Sequence, residues 1–270
     1  FSEAVTVSGA WYTFSCATSG SHTAVVSGGP TTFTLNPDTD FAAGESCTVT
    51  VVAAQVTDQD GTADPMAANY QFSFATAASD PCVATADFIH DVQGNGAASP
   101  VVGQTKTIQG LVVGDFQAST QLSGFFVQEE VADYDADPVT SEGIFVYQSS
   151  TAVADVNVGD KVRVTGTIKE FNELTEMDTL TSVIVCGTGN AVAPTTVSLP
   201  ETTNGELERY EGMYITIPQT LTADQNFFQG RYGQVTISAA GRMYNPTNGN
   251  GLGDTFDYNA RRILVLDDAS

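Results

Sequence analysis

The chain is poor in basic residues. It carries 9 Lys and Arg against 32 Asp and Glu, which gives a formal net charge of -23 at pH 7 and a pI of about 4.1. A field of this sign repels the phosphates of nucleic acid and of anionic membranes. A protein that binds nucleic acid through a generally basic surface is therefore excluded, whereas a local basic patch is not.

Long apolar runs are also missing. None reaches the roughly 18 residues needed to span a bilayer, so we expect no membrane span. The chain lacks an initiator Met and a signal peptide and opens at Phe1, so we expect processing or trimming at its start. Its 270 residues, 41% of them hydrophobic, suffice for about two domains with a real core.

The four cysteines show no Cys-x-x-Cys spacing typical of zinc or redox motifs. Of the three possible pairings, we predict Cys16 with Cys47 and Cys82 with Cys186. Each pair then lies within one expected domain, and the second would tie the start of that domain to its end. Two disulfides indicate an oxidising, extracytoplasmic compartment; four buried free thiols are the alternative.

The first 78 residues alternate short β-type runs with turn signals. Gly28-Gly29-Pro30, Asn36-Pro37-Asp38 and Asp60-Gly61 separate the runs, and no segment here has sustained helical periodicity. Short strands at this spacing predict a β-sandwich over residues 1–78. A small polar connector ending at Pro81 then indicates a domain boundary.

The order of motifs in this region resembles that of bacterial Ig-like modules of secreted proteins. It runs FSEAV, TFTLNPDTDFAAGESCTVTV, VTDQDGTADP and YQFSFAT. In such modules a strand normally precedes the FSE motif. Its absence here implies a truncated start or a strand supplied from elsewhere.

Nearly everything after residue 80 resembles the OB-fold-type region that precedes the catalytic domain in secreted bacterial nucleases of the endonuclease/exonuclease/phosphatase superfamily. The motifs occur in the family's order: IHDVQG, GLVVGDFQ, GFFVQEE, TSEGIFVY, VGDKVRVTGTI and VCGTG, followed by ERYEGMYITIPQTLT, GRYGQVTISAAGRMYNPTN and NARRILVLDD. Cys82 and Cys186 stand where the family's paired cysteines would. The resemblance implies an OB-fold-like barrel over residues 82–190 and a second, incomplete barrel unit over residues 191–270. The expected fold is therefore all-β, an Ig-like β-sandwich followed by these two units.

Alternation within the predicted barrel strands assigns side chains to faces. Val162 and Val164 would face the core, and Phe126 and Gln128 the open face opposite Phe125. An OB fold binds single strands by aromatic stacking and a basic groove. The resulting candidates for nucleic-acid binding are Phe126, Phe145, Tyr147, Arg163 and Lys169. Core or interface packing of these aromatics is the alternative.

Most of the arginines lie in the last 70 residues. Against the acidic background they are the main concentration of basic charge, so we predict that they face phosphate. The candidates are Arg231, Arg242 and Arg261. Salt bridges to the abundant carboxylates are an equally good explanation.

An acidic loop joins the strands Gly124 to Gln128 and Gly143 to Tyr147. Asp133, Asp135 and Asp137 at alternate positions, with Glu142 following, could supply oxygen ligands to Ca²⁺. The spacing lacks the Gly and the terminal Glu of an EF-hand, and a solvated acidic loop is the alternative.

No complete catalytic constellation is present. The catalytic domain of these nucleases needs two His beside metal-binding carboxylates and an Asn, but the chain has only His22 and His90. GDFQ, residues 114–117, has Gln where the superfamily's GDxN motif has Asn, and we expect a structural role for His90 within IHDVQG.

We therefore predict a non-catalytic accessory region of a secreted nuclease that positions a downstream catalytic domain and binds single-stranded or duplex nucleic acid. The alternative is a structural module of a cell-surface or extracellular filament protein, in which a neighbouring subunit supplies the missing strand by strand addition. Both place the protein outside the cell or at its surface.

Overall fold

The computed structural model describes residues 1–148, 154–247 and 254–269. The chain divides into two compact units, Phe1–Val83 and Ala84–Ser270. No helix in these described ranges is long and apolar enough to cross a membrane.

The first unit is built from seven short strands. They are β1 (Val5–Val7), β2 (Tyr12–Cys16), β3 (Ala24–Gly28), β4 (Phe33–Pro37), β5 (Ser46–Val51), β6 (Val56–Asp58) and β7 (Tyr70–Ala75). They form a three-stranded sheet in the order β2-β5-β7 and two two-stranded sheets, β3-β4 and β1-β6, all antiparallel. Two short 3-10 helices, Ala53–Gln55 and Pro81–Val83, follow β5 and β7.

Aromatic and branched side chains fill the core of this unit. Trp11, Val5 and Val56 are buried together, and Phe33 and Leu35 of β4 pack against them. Strand alternation explains the pattern, because β4 shows every second side chain to the core.

The second unit contains a closed five-stranded barrel. Its strands are β8 (Thr105–Phe116), β9 (Gly124–Gln128), β10 (Gly143–Tyr147), β11 (Lys161–Phe171) and β12 (Leu174–Gly187), joined in the order β10-β12-β11-β8-β9 with β9 pairing back to β10. All neighbours are antiparallel except β10 and β12, which run parallel. A short helix α1 (Ile89–Gln93) precedes the barrel and packs against β10.

The barrel interior is a continuous apolar core. Phe125, Val127, Ile144 and Val146 point inward from β9 and β10, and other strands contribute residues such as Val164. Ile89 and Val92 of α1 join the same core, so the helix closes it off at one side. The close packing of these side chains holds the barrel wall in a fixed register.

The C-terminal part of the second unit is smaller and more open. Two-residue strands β13 (Thr195–Thr196) and β14 (Ile215–Thr216) pair in parallel, and β15 (Leu221–Gln225), β16 (Val235–Ala239) and β17 (Ile263–Leu266) form an antiparallel sheet. A 3-10 helix (Glu206–Tyr210) and the helices α2 (Gln229–Tyr232) and α3 (Phe256–Ala260) complete it. In the described ranges this sheet is not closed.

The predicted fold class is confirmed: the protein is nearly all β, an Ig-like module followed by a barrel. The predicted inward side chains Val162 and Val164 are fully buried, as is Phe125. The boundaries 1–78, 82–190 and 191–270 stay predictions, since the structure joins the barrel and the C-terminal sheet in one compact unit.

Candidate ligand-binding site

A row of side chains crosses four strands on the outer face of the barrel. Phe126 of β9 lies opposite Phe145 of β10, Phe145 lies beside Glu176 of β12, and Glu176 lies opposite Lys169 of β11. The rings of Phe126 and Phe145 are 4.9 Å apart between centroids. The sequence neighbours of these residues, such as Val127, Ile144 and Ile168, belong to the barrel core. Because side chains alternate along a strand, the row therefore lies on the outer face.

The row forms the floor of a cavity of about 390 Å³. We call this cavity the aromatic cavity. The residues that line it are Leu122, Phe126, Phe145, Tyr147, Lys169, Phe171, Leu174, Glu176 and Asp178. Leu122 comes from the β8–β9 connection, Phe171 is the last residue of β11, and Leu174 is the first residue of β12. Phe171 is 60% exposed, so an apolar edge of the cavity faces solvent.

The polar side of the aromatic cavity is acidic. Lys169 forms an ion pair with Asp178, and the Asp178 hydrogen bond is the main cause that raises the pKa of Lys169. Burial raises the pKa of the Glu176 carboxyl, and the charge of Asp178 raises it further. The cavity therefore offers aromatic surface and hydrogen-bond acceptors, and its single cation is already paired.

The structure brings together four of the predicted nucleic-acid-binding residues, Phe126, Phe145, Tyr147 and Lys169, in this one cavity. Arg163 lies elsewhere. It is buried, and its guanidinium donates to the backbone carbonyls of Ala84 (Nη1, 2.8 Å) and Thr85 (Nη2). These bonds occupy it within the fold.

The three candidate arginines of the C-terminal part have different contacts. Arg261 donates to the Asp257 carboxylate at 2.9 Å and to the Glu201 carbonyl. Arg231 is exposed and lies over the Tyr232 ring, and Arg242 is exposed. Whether any of the three contacts phosphate stays a prediction.

The predicted calcium ligands divide between two places. Asp135 Oδ1 accepts from the Asp137 N–H and the Thr140 hydroxyl, and Asp137 Oδ1 accepts from the Val139 N–H. These are bonds within the loop itself, which fix its turns. Glu142 is instead buried beside His90, and Ca²⁺ binding by the four-residue set stays a prediction.

Glu142 belongs to a buried group with His90 and Glu129. His90 Nδ1 lies 3.0 Å from Glu129 Oε2 and 3.3 Å from Glu142 Oε2. Burial opposes the charged form of His90, but the hydrogen bond and charge of Glu129 and the charge of Glu142 outweigh it and raise the pKa of His90. Burial and the neighbouring Glu129 carboxyl raise the pKa of Glu142 to about 8.

The prediction of disulfides is confirmed. Cys16 and Cys47 face each other on β2 and β5 and are joined by a disulfide. Cys82 and Cys186 are both disulfide-bonded, and the described residues contain no free cysteine. Disulfides are typical of proteins in oxidising compartments.

Sequence reasoning missed the acidic side of the aromatic cavity and the partners of His90. Glu176 and Asp178 alternate along β12, which is a period-2 signal for a shared face. Nothing local indicates that this face adjoins Phe145, because the parallel pairing of β10 with β12 is a long-range contact.

Comparison with known protein families matches residues 1–76 to the model of the bacterial Ig-like domain. The first unit is therefore an Ig-like module, a non-catalytic class of domain that often occurs in surface or extracellular proteins. Searches of curated proteins and of solved structures gave no significant match to the chain.

Proposed function

We propose that the chain is a non-catalytic accessory region of a secreted nuclease and that its barrel holds single-stranded nucleic acid by a nucleobase seated in the aromatic cavity. The observation that carries the proposal is the convergence of Phe126, Phe145 and Tyr147 with Lys169 in that one cavity. The motif order after residue 80 supports the nuclease association.

The position of the cavity on the barrel supports this proposal. OB folds bind oligonucleotides on the face of their second and third strands, between the loop joining strands one and two and the loop joining strands four and five. Here β9 and β10 are the second and third strands of the barrel. The β8–β9 connection supplies Leu122 to the same cavity, and the two residues that flank the β11–β12 turn, Phe171 and Leu174, also line it.

The charges of the cavity favour a base over a phosphate. Glu176 and Asp178 would accept hydrogen bonds from exocyclic amino or ring N–H groups, while the rings of Phe126, Phe145 and Tyr147 offer stacking surface. Phosphates would lie outside the cavity, because its one cation is paired with Asp178 and the whole chain carries a net charge of -23.

Fluorescence polarisation with short labelled DNA single strands of one base type tests the binding. Because no free cation of the cavity binds the phosphates, the affinity for the single strand should fall little as the salt concentration rises. The affinity of a basic protein would fall steeply. Tyr147→Leu and Phe126→Leu should each weaken binding by roughly 5- to 150-fold, the effect of losing about 1–3 kcal/mol of stacking per base.

A matched control is Phe227→Leu, which removes a 77% exposed aromatic ring that does not line the cavity. It should bind like the unaltered chain. The binding proposal fails if the chain binds no single strand at any ionic strength, or if all three variants lose affinity equally.

The nuclease association has its own test: the complete gene should encode an endonuclease/exonuclease/phosphatase domain in the same protein.

A second function is favoured by the edge of the first unit. Strand β7 ends the β2-β5-β7 sheet, and in the described part of the chain no strand pairs with its outer side. Tyr70 is 60% exposed and Phe72 47% exposed on this strand. An open edge with exposed aromatics is a template for strand addition by another copy of the chain, as in a filament.

Sedimentation velocity across a concentration series tests self-association. Phe72→Lys should keep the protein monomeric at all concentrations, because a charge on an edge strand opposes pairing. Ser46→Lys, at an exposed position of the central strand β5, is the control. A monomer at every concentration in the unaltered chain would exclude the filament role for this region alone.

A further inference from the structure

The cluster of His90, Glu129 and Glu142 lies where β9 and β10 diverge into the acidic loop. Gln128 and Gly143 are the last paired residues of these strands, and the Glu129 N–H donates to the Glu142 carbonyl at 2.9 Å just beyond them. His90, in the first turn of α1, faces both carboxylates. We call these three residues the His-Glu cluster.

The three side chains are buried and held in place. Their exposed fractions are 10% for His90, 1% for Glu129 and 8% for Glu142. Glu129 Oε1 accepts the backbone N–H groups of Ile89 and His90, and the His90 ring stacks on Phe88 with an angle of 11° between planes. The potential ligand atoms, one from each residue, all lie within 4.8 Å of one another.

The two buried carboxyl groups of this cluster share a single basic partner, the imidazole of His90. Two buried carboxylates face one imidazole nitrogen, and Asp91 lies 4.0 Å from His90 Nε2 while Asp135 adds negative potential from the loop. Over the described ranges, no Lys or Arg forms an ion pair with Glu129 or Glu142. Buried carboxylates are usually compensated by a cation or by a metal ion.

We propose that the His-Glu cluster binds a first-row divalent transition metal ion, such as Zn²⁺ or Mn²⁺, through His90 Nδ1 and one oxygen each of Glu129 and Glu142. Mixed imidazole and carboxylate ligands suit such ions, whereas Ca²⁺ and Mg²⁺ prefer oxygen alone. Metal–ligand bonds of roughly 2.0–2.2 Å at a tetrahedral angle separate ligand atoms by about 3.3–3.6 Å. The two distances from Nδ1, 3.0 and 3.3 Å, come within a few tenths of an ångström of that spacing.

The ion would join three parts of the fold. It would connect α1 to the ends of β9 and β10, while Glu129 keeps its second oxygen on the backbone of the helix. Metal-ligating groups are commonly oriented by such further hydrogen bonds. With three protein ligands, one coordination position stays open to water. This inference is independent of the proposed nucleobase binding.

In the described part of the chain, one further group of potential ligands was found, and it offers no such site. Cys16, His22 and Glu45 also lie close together, but Cys16 is in a disulfide. The Glu45 carboxylate accepts four hydrogen bonds from Thr18, Ser19 and Ala42. Its ligand atoms are therefore already used.

Calorimetric titration of the chelator-treated, full chain with Zn²⁺, and separately with Mn²⁺ and Ca²⁺, tests the proposal. We expect one Zn²⁺ or Mn²⁺ per chain and a rise in melting temperature on binding. His90→Gln and Glu142→Gln should each weaken binding by more than about 10-fold, since even indirect partners of metal ligands cost that much. Asp155→Asn, at an exposed position of the same unit, is the matched control and should leave affinity unchanged.

X-ray absorption of the zinc-loaded, unaltered chain keeps the proposal testable if a variant fails to fold. The spectrum should show one imidazole and otherwise oxygen ligands. The proposal is overturned if neither Zn²⁺ nor Mn²⁺ binds, if Ca²⁺ alone binds, or if sulfur or several imidazoles ligate the ion. It is also overturned if Asp155→Asn abolishes binding while folded His90→Gln and Glu142→Gln retain it.

Discussion

Gly143 and Gly212 lie so close together that there is no space for a side chain between them. A Cβ atom on Gly143 would stand 2.5 Å from the Gly212 carbonyl carbon and 2.6 Å from the Met213 nitrogen. Nearby, the Ser141 hydroxyl donates to the Glu211 carbonyl at 2.6 Å, and the Tyr214 N–H donates to Gln128 Oε1 at 2.8 Å. The segment after the barrel is therefore packed directly on the start of β10.

Gly143→Ala should lower the free energy of unfolding of the second unit by about 1–3 kcal/mol, the usual cost of overpacking. These clashes are with backbone atoms, which cannot rotate away. Urea unfolding followed by far-UV circular dichroism measures the change. Gly96→Ala is the control, because its Cβ would meet nothing closer than 3.9 Å; equal stability of the two variants would contradict the prediction.

Arg163 should act in folding and not in ligand binding. Arg163→Met would leave the carbonyls of Ala84 and Thr85 without their buried donors, at a cost of about 1–3 kcal/mol. Any single-strand affinity of the folded variant should be unchanged in the polarisation assay. Arg242→Met, at an exposed position, should cost little stability. If Arg163→Met lost affinity for the single strand while its stability stayed unchanged, Arg163 would belong to the binding surface.

The example of Arg163 shows what alternation along a strand can and cannot predict. Alternation correctly places Val162 and Val164 in the core and Arg163 on the opposite face. It does not reveal that the chain entering the barrel, residues 84 and 85, covers that face. Covering by a distant segment leaves no local pattern in a strand.

For the aromatic cavity, too, alternation predicts which way side chains point but not which distant segments lie beside them. The alternation of side chains along the strands predicts that Phe126, Phe145 and Tyr147 point outward. The acidic loop between β9 and β10 predicts that these two strands form a hairpin. The neighbour relation of Phe145 with Glu176 depends on barrel closure. His90 likewise has no metal-ligand spacing in the sequence, since its partners are 39 and 52 residues away.

The disulfide between Cys16 and Cys47 should stabilise the first unit substantially. It closes a loop with a sequence separation of 31, for which the chain-entropy relation gives about 3–4 kcal/mol. The double variant Cys16→Ala, Cys47→Ala should lose that amount. Trp11 is the one tryptophan and is buried in this unit, so its fluorescence during urea unfolding reports on this unit. Ser15→Ala, at an exposed position of the same strand, should change stability little.

Glu45 should make the stability of the first unit depend on acid pH. Burial alone would raise the pKa of its carboxyl, but hydrogen bonds from the Ser19 hydroxyl and from the N–H groups of Ser19, Thr18 and Ala42 outweigh it and lower the pKa to about 2. The unfolded chain, with a pKa near 4.5, takes up this proton more readily than the folded one. The stabilisation is therefore complete above pH 4.5 and is lost as the pH falls toward 2.

Glu45→Gln should accordingly be less stable than the unaltered chain at pH 7, and the difference should shrink steadily between about pH 4.5 and pH 2. Urea unfolding followed by Trp11 fluorescence measures it, and the comparison between the two proteins cancels the titration of the other carboxylates. Glu3→Gln, at an exposed position in the same unit, should show no such convergence. A stability difference that stays constant down to pH 2 would mean that Glu45 acts by packing and not by its charge.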